Sequence, residues 1–216
     1  MSSRIPVAGV LAGLLFLTSP LLAADAKQRA EEILKETGVQ GGFVVHVGCG
    51  NGELTAALKA SDAFQVHGLD RNAKNVEAAR ASIQSAGPYG DVAADQWTTA
   101  NLPYVDNLVN LLVVEQESKL SESEMLRVLV PNGVAYVEDA NGNWEKTVKP
   151  WPEEIDEWSH YLHDASGNSV AHDDAVGPPR HLQWVGSPRW SRHHDRMASM
   201  SALVSTNGRM FYIMDE

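Results

Sequence analysis

Past an apolar opening run at residues 7–17, the chain alternates between stretches of helical spacing and short continuous apolar runs. Ala30, Ile33 and Leu34 share one face of a helix expected over residues 27–37. Asp25 is placed to cap it, Gln28 sits at the reciprocal capping position, and Gly38 is placed to stop it. Residues 43–47 have strand character, residues 53–60 helical character, and residues 64–69 form a second apolar run that ends at Asp70. Asn72 is expected to cap a helix reaching about Ser85, with Val76, Ala79 and Ile83 on one side and Gly87-Pro88 as its breaker. Residues 92–94 predict a short third strand and residues 108–114 a strongly apolar fourth. Ser121 caps a helix through Leu129 with Glu124 in the capping-box position; Pro131-Asn132-Gly133 predicts a turn, and residues 134–137 a fifth strand.

Strands that alternate with helices predict a doubly wound α/β domain, Rossmann-like, with a mostly parallel sheet. Right-handed crossovers then bring every strand's carboxyl end to one edge, where such sheets bind ligands. Gly48-Cys49-Gly50-Asn51-Gly52 leaves the first strand at that edge and enters a helix. Asp70 closes the second strand, where a carboxylate can accept hydrogen bonds from a ribose diol. The glycine spacing excludes two common nucleotide sites. The third glycine arrives one residue early for a dinucleotide fingerprint, Glu53 stands in its place, and no Lys-Ser or Lys-Thr follows to make a Walker loop.

Composition sharpens this picture. The 216 residues carry a formal net charge of -11, which argues against a nucleic-acid-coating protein. The single cysteine, Cys49, excludes an internal disulfide framework and any site built from several thiolates. Residues 1–24 contain one charged group, Arg4, then the apolar run, Pro20 and small residues. This is the pattern of a secretory signal peptide with cleavage near Ala23 to Ala26, and it implies export to the periplasm or cell envelope. The apolar run is too short to span a bilayer comfortably, so no transmembrane segment is expected in the mature chain. Six of the eight histidines and four of the six tryptophans follow residue 150, which suggests that a second unit begins there.

Residues 44–52, Val-Val-His-Val-Gly-Cys-Gly-Asn-Gly, resemble the first motif of class I S-adenosylmethionine-dependent methyltransferases. Asp70 matches the acid at the end of that family's second strand. Leu102-Pro103-Tyr104-Val105-Asp106-Asn107 resembles the segment before its fourth strand, and residues 124–133 the segment leading to its fifth. The resemblance covers residues 27–140. It implies S-adenosyl-L-methionine as cofactor, with Gly48, Gly50 and Gly52 around the methionine part, Asp70 at the ribose and Asp95 at the adenine; Cys49 and Arg71, their neighbours in the chain, are counted with them as cofactor-binding residues. It identifies neither a methyl acceptor nor a catalytic residue.

This chain departs from the family pattern at His46, where most members carry a carboxylate that organises the cofactor's amino acid end. It is also expected to leave the sheet after Glu138, truncating the domain after strand five. Two readings follow: a methyltransferase, or an exported quinoprotein-like redox or binding protein whose front domain is non-catalytic. A third has the tail as a partner-binding scaffold.

The tail supports the division. Residues 143–152 read as a linker between a domain at 25–142 and a second segment at 153–216, with a short helix over 153–162. Asn207-Gly208 between apolar runs at 200–205 and 209–214 predicts a hairpin. Residues 184–190 and 207–216 resemble the opening of a PQQ-like, quinoprotein-type β-propeller, of which about one blade is present, so the chain is expected to belong to a longer protein. PQQ would be held only in that longer form, and no quinone ligand is assigned. His160 and His163, with Asp164, have the spacing of metal ligands on a helix. The same holds in part for His172 and for His193-His194, but no complete metal motif is present, and structural hydrogen-bonding roles account for them.

Overall fold

A computed structural model of the chain describes residues 19–87, 89–115, 118, 120–175 and 200–214. These residues fall into two units, Met1–Pro150 and Trp151–Glu216. The first contains α1 (Ser19–Thr37), β1 (Gly42–Val47), α2 (Glu53–Ala57), β2 (Phe64–Asp70), α3 (Ala73–Ala86), β3 (Val92–Gln96), β4 (Val109–Val114), α4 (Glu122–Val128), β5 (Leu129–Glu138) and β6 (Trp144–Val148). The sheet order is β3-β2-β1-β4-β5-β6; β1 to β5 pair in parallel, and β6 is antiparallel to β5.

Burial on both faces explains the continuous apolar strands. Val44, Val66, Leu111 and Val113 pack toward Ala30 and Ile33 of α1, Leu54 of α2 and Ala79 and Ile83 of α3. Val45, Val47, Leu69, Leu112 and Val114 face the other way, against Trp97, Leu102 and Val128. Because side chains alternate along a strand, His46 takes a place on the α1–α3 face that an apolar residue would otherwise fill.

Several helix ends follow the local chemistry. The Asn72 side chain accepts from the Lys74 N–H, and Gly87 closes α3 in the left-handed conformation. Ser121 caps α4 by accepting from the Glu124 N–H. Asp25 does not cap: α1 starts at Ser19, and Asp25 lies within it, because Pro20 sits in the first turn and the leucines and alanines that follow favour helix. The expected turn at Pro131-Asn132-Gly133 is absorbed into β5 as an irregularity, with β4 partners jumping from Val109↔Leu129 to Leu111↔Val134 and Asn132 at φ 63°.

The chain does not leave the sheet after Glu138. Residues 144–148, expected within a linker, form the edge strand β6. Asp139 Oδ1 accepts from the N–H groups of Asn141 and Asn143 and closes the hairpin between β5 and β6. Lys146 Nζ then donates to the carbonyls of Glu36 and Thr37, tying the new edge to the end of α1.

The second unit holds β7 (Met200–Thr206) and β8 (Arg209–Met214), an antiparallel pair turning through Asn207 and Gly208, both at positive φ. The helix expected at 153–162 does not form. Asp156 accepts from the N–H groups of Glu157 and His172 and from His163, an arrangement of side-chain bonds that competes with a helical ladder. Residues 1–18, the leader's apolar run among them, and residues 176–199, with Trp184, Trp190 and His193-His194, lie outside the described residues. No helix of the described residues is long and apolar enough to cross a membrane.

Candidate functional site

The parallel order reverses between β1 and β4: the chain builds outward from β1 to β2 and β3, then returns to place β4 on the other side of β1. At such a switch point the two connections diverge and leave a crevice at the carboxyl edge. A cavity of about 570 Å³ lies there, lined by Val47, Gly48, Gly50, Asp70, Arg71, Asn72, Asn75, Trp97, Glu115, Ser118 and Glu138. A larger groove of about 1000 Å³ runs between α1, α2 and α3, with Lys27, Glu31, Lys59 and Ser82 in its walls. It opens on the helical face, where no strand ends, so the carboxyl-edge cavity is the candidate site.

Gly50 and Asp70 meet there. The Gly50 N–H donates to Asp70 Oδ2 at 3.0 Å, and Gly50 adopts φ +52°, a conformation side chains disfavour. Among the described residues, and its two chain neighbours aside, a Cβ at Gly50 would meet no heavy atom nearer than 3.9 Å, so the backbone faces open space there. Asp70 also accepts from the Asn72 N–H at 2.8 Å and from Asn75 Nδ2 at 3.0 Å. Three donors hold this 8%-exposed carboxylate in one orientation. Arg71 lies over the Trp97 ring, its guanidinium carbon 3.8 Å from the centroid, and Trp97 is fixed by donating Nε1–H to the Asn101 carbonyl.

Gly48, Gly50, Asp70 and Arg71 therefore come together around the cavity. Gly52 and Cys49 do not line it. A Cβ on Gly52 would fall 2.7 Å from Ala79 Cα, so this glycine serves the close approach of α2 to α3. Cys49 is buried in the core beside Gly68; burial first, then the Asp70 charge, pushes its thiol up to about 12. Asp95 is also not among the lining residues. Its carboxylate bonds Arg80 and His67 Nε2, the latter at 3.0 Å. The reason is that β3 extends to Gln96, which places Asp95 inside the strand with an exposed side chain, while Trp97 reaches the cavity.

Reading the sequence missed Glu115, Ser118, Glu138, Asn75 and Trp97. Glu115 follows β4, and its N–H donates to the Val47 carbonyl at 3.0 Å, which sets it beside the glycine turn. His46 is buried beneath, with Nδ1 2.8 Å from Thr55 Oγ1 and Nε2 3.3 Å from Glu115 Oε1. Arg29 Nη2 stands 3.6 Å from the same oxygen. Burial alone would raise the Glu115 carboxyl, but the hydrogen bond and charge of His46 and the charge of Arg29 outweigh it and hold the group below its ordinary value.

Below the cavity, Arg127 fixes the segment that closes the other face. It pairs with Glu124 through Nε and Nη2, both at 2.8 Å, and donates from Nη1 to the Tyr104 carbonyl and to Asp106. Glu124 Oε1 in turn accepts the Leu102 N–H. Tyr104 donates its hydroxyl to His67 Nδ1 at 2.8 Å, and since His67 Nε2 faces Asp95, both ring nitrogens are occupied.

In the second unit, His160 and His163 form an isolated antiparallel bridge across a two-residue turn rather than one helical turn, with His163 at φ 71°, and His163 Nε2 bonds Asp156 Oδ2 at 2.6 Å. Among the described residues no group of three His, Cys, Asp or Glu side chains is placed to hold a metal ion.

A family model described as "Methyltransferase domain" matches residues 40–199. No curated protein matches the chain. Among solved structures, a Methanococcus maripaludis protein provisionally described as an S-adenosyl-L-methionine-dependent methyltransferase is similar, with 26% identity and a TM-score of 0.50 over 58% of this chain and 60% of that one. The [4+2]-cyclase SpnF aligns at 26% identity and TM-score 0.47, over 52% of this chain and 44% of its own. A SAM-dependent methyltransferase from Aquifex aeolicus aligns at 22% and 0.45, over 54% and 72%. The chain thus spans less than two thirds of the first two proteins.

Proposed function

Since the chain belongs to the methyltransferase domain family, we propose that its carboxyl-edge cavity binds S-adenosyl-L-methionine and presents its methyl group to an acceptor. The observation that carries this reading is the Gly50–Asp70 contact, which sets open backbone beside an oriented carboxylate at the switch point. The residues present fit the cofactor. The lining has three carboxylates, Asp70, Glu115 and Glu138, against one guanidinium, Arg71. That balance suits a ligand carrying a sulfonium and an ammonium. The volume is in the range of small-molecule sites.

When bound, the cofactor supplies an activated methyl group; the rest of the chemistry is alignment. Among the described residues Asp70 Oδ1 accepts only the Asn72 N–H, leaving it capacity for a ribose hydroxyl. Arg71, stacked on Trp97, offers a flat surface to the adenine ring. Gly48 and Gly50 let the methionyl chain pass against the backbone. Titration calorimetry with S-adenosylhomocysteine tests the reading. Saturable binding near one ligand per chain is expected, and no heat with either S-adenosylhomocysteine or S-adenosylmethionine overturns it.

The domain limits, export and tail belong to the same proposal. The leader composition of residues 1–24 supports export to the periplasm or envelope. The β7–β8 hairpin with its Asn207-Gly208 turn supports reading residues 153–216 as an opening segment of a PQQ-like propeller. In such a protein the alternative, a quinoprotein-like redox or binding function with a non-catalytic front domain, has the same calorimetric test with the opposite outcome.

A further inference from the structure

The cavity has two ends, separated by β1. Asp70, Arg71, Asn72, Asn75 and Trp97 come from the β2–β3 side; Glu115, Ser118 and Glu138 come from the β4–β5 side. If the adenosyl group is taken at the β2 end, as the proposed function holds, the amino acid end of the ligand must lie at the β4 end, against Gly48. Glu115 is the acid closest to that glycine: a Cβ built on Gly48 would fall 3.1 Å from Glu115 Cβ.

Glu115 is also held from behind. A carboxylate only accepts, so the proton in its contact with His46 sits on Nε2. Nδ1 of the same ring is taken by Thr55, so both imidazole nitrogens are engaged by protein, and His46, which is not itself a lining residue, reaches the cavity through Glu115. With Arg29 also beside Oε1, the carboxylate has one oxygen engaged by protein and the other, Oε2, bonded to neither of them. A carboxyl kept below its ordinary value is a weak proton acceptor and a persistent anion, which favours pairing with a cation over general-base work.

We propose that Glu115 anchors the ammonium group of the cofactor's amino acid end, and that His46 is the positioning residue that aims it. This rests on the S-adenosylmethionine reading of the cavity. The buried His46, a polar residue in an otherwise apolar strand, then has a purpose: from β1 it holds the anionic anchor at the end of β4.

The test compares two ligands on the 216-residue chain by calorimetry: S-adenosylhomocysteine, which bears the ammonium, and 5′-deoxy-5′-methylthioadenosine, which lacks the amino acid end. Glu115→Gln is expected to weaken S-adenosylhomocysteine about tenfold to a hundredfold, the range for a hydrogen bond to a charged group, while leaving the truncated ligand unchanged. Glu115→Asp, which keeps the charge, is expected to retain more affinity than the amide. His46→Ala should reproduce the ligand-selective loss in smaller measure. Equal binding of S-adenosylhomocysteine by wild type and Glu115→Gln overturns the proposal. So does a parallel loss for both ligands, which would make Glu115 a support for the loop. If the wild type binds neither ligand, the cofactor reading itself falls and takes this one with it; that outcome is distinct from a wild type that binds and a variant that binds equally.

Discussion

The Gly50 N–H and the Asp70 Oδ2 lie 3.0 Å apart, joining the turn after β1 to the end of β2 across 20 positions of sequence. One carboxylate thereby shapes the turn and faces the cavity. Asp70→Ala removes the acceptor for Gly50, Asn72 and Asn75 together. It is expected to cost about 1–3 kcal/mol of stability and to weaken S-adenosylhomocysteine at least about tenfold, read by urea denaturation and calorimetry. Wild-type affinity in this variant would remove Asp70 from the site.

Two glycines of the turn are expected to respond differently. In Gly52→Ala the new methyl meets Ala79 backbone at 2.7 Å, so the α2–α3 packing must shift, at about 3 kcal/mol. In Gly50→Ala the methyl enters open space, and only the backbone strain of about 1–2 kcal/mol is paid. Gly50→Ala should therefore fold and lose ligand binding, whereas Gly52→Ala should lower the denaturation midpoint more. The reverse order of midpoints would contradict these assignments.

Cys49 should be inert. Its thiol is buried, and its pKa is pushed up to about 12, so almost no thiolate forms at neutral pH. A disulfide reagent such as Ellman's is expected to titrate it only after denaturation. Rapid labelling of the native chain would place the side chain outside the core.

Arg127→Ala leaves the buried Glu124 carboxylate without its bidentate partner and frees the Tyr104 carbonyl and Asp106. A loss of about 3 kcal/mol is expected from chemical denaturation, as for other broken buried pairs. A loss below 1 kcal/mol would show that the segment from Leu102 to Asp106 holds its place without the arginine.

Acid should destabilise the first unit in a defined direction. Glu124, through its bond to Arg127, and Glu115, where His46 and Arg29 outweigh burial, both have folded-state values below the ordinary 4.5. Their contribution is fully present above that value and is lost as pH falls below it. Urea midpoints measured from pH 7 down to 3 should fall most steeply below 4.5, and Glu124→Gln should flatten the slope. An unchanged slope would deny the pairing.

The parallel sheet, the α3 cap at Asn72 and the Asn207-Gly208 turn were legible because each follows from local residue chemistry or from unbroken apolar runs. The edge strand β6 was not. Its sequence, Trp-Glu-Lys-Thr-Val, has two charged residues side by side, as suits an edge that faces water, and it carries no apolar run. Asp95 lies inside β3, which runs two residues past the apolar run at 92–94, and its carboxylate bonds Arg80 and His67. Glu115 gave no spacing signal at all. Only the strand order reveals that the residue after β4 faces the glycine turn, although His46, polar within an apolar strand, was a visible sign that something beyond the core needed a partner.

The central claim is that the cavity between Gly50, Asp70 and Glu115 receives the cofactor, and a crystal structure of the chain soaked with S-adenosylhomocysteine tests it most directly. The account predicts a ligand whose ribose hydroxyls lie within hydrogen-bonding distance of Asp70 and whose amino group lies beside Glu115. Density in the groove between α1, α2 and α3 instead, or an empty carboxyl edge at saturating ligand, would contradict it.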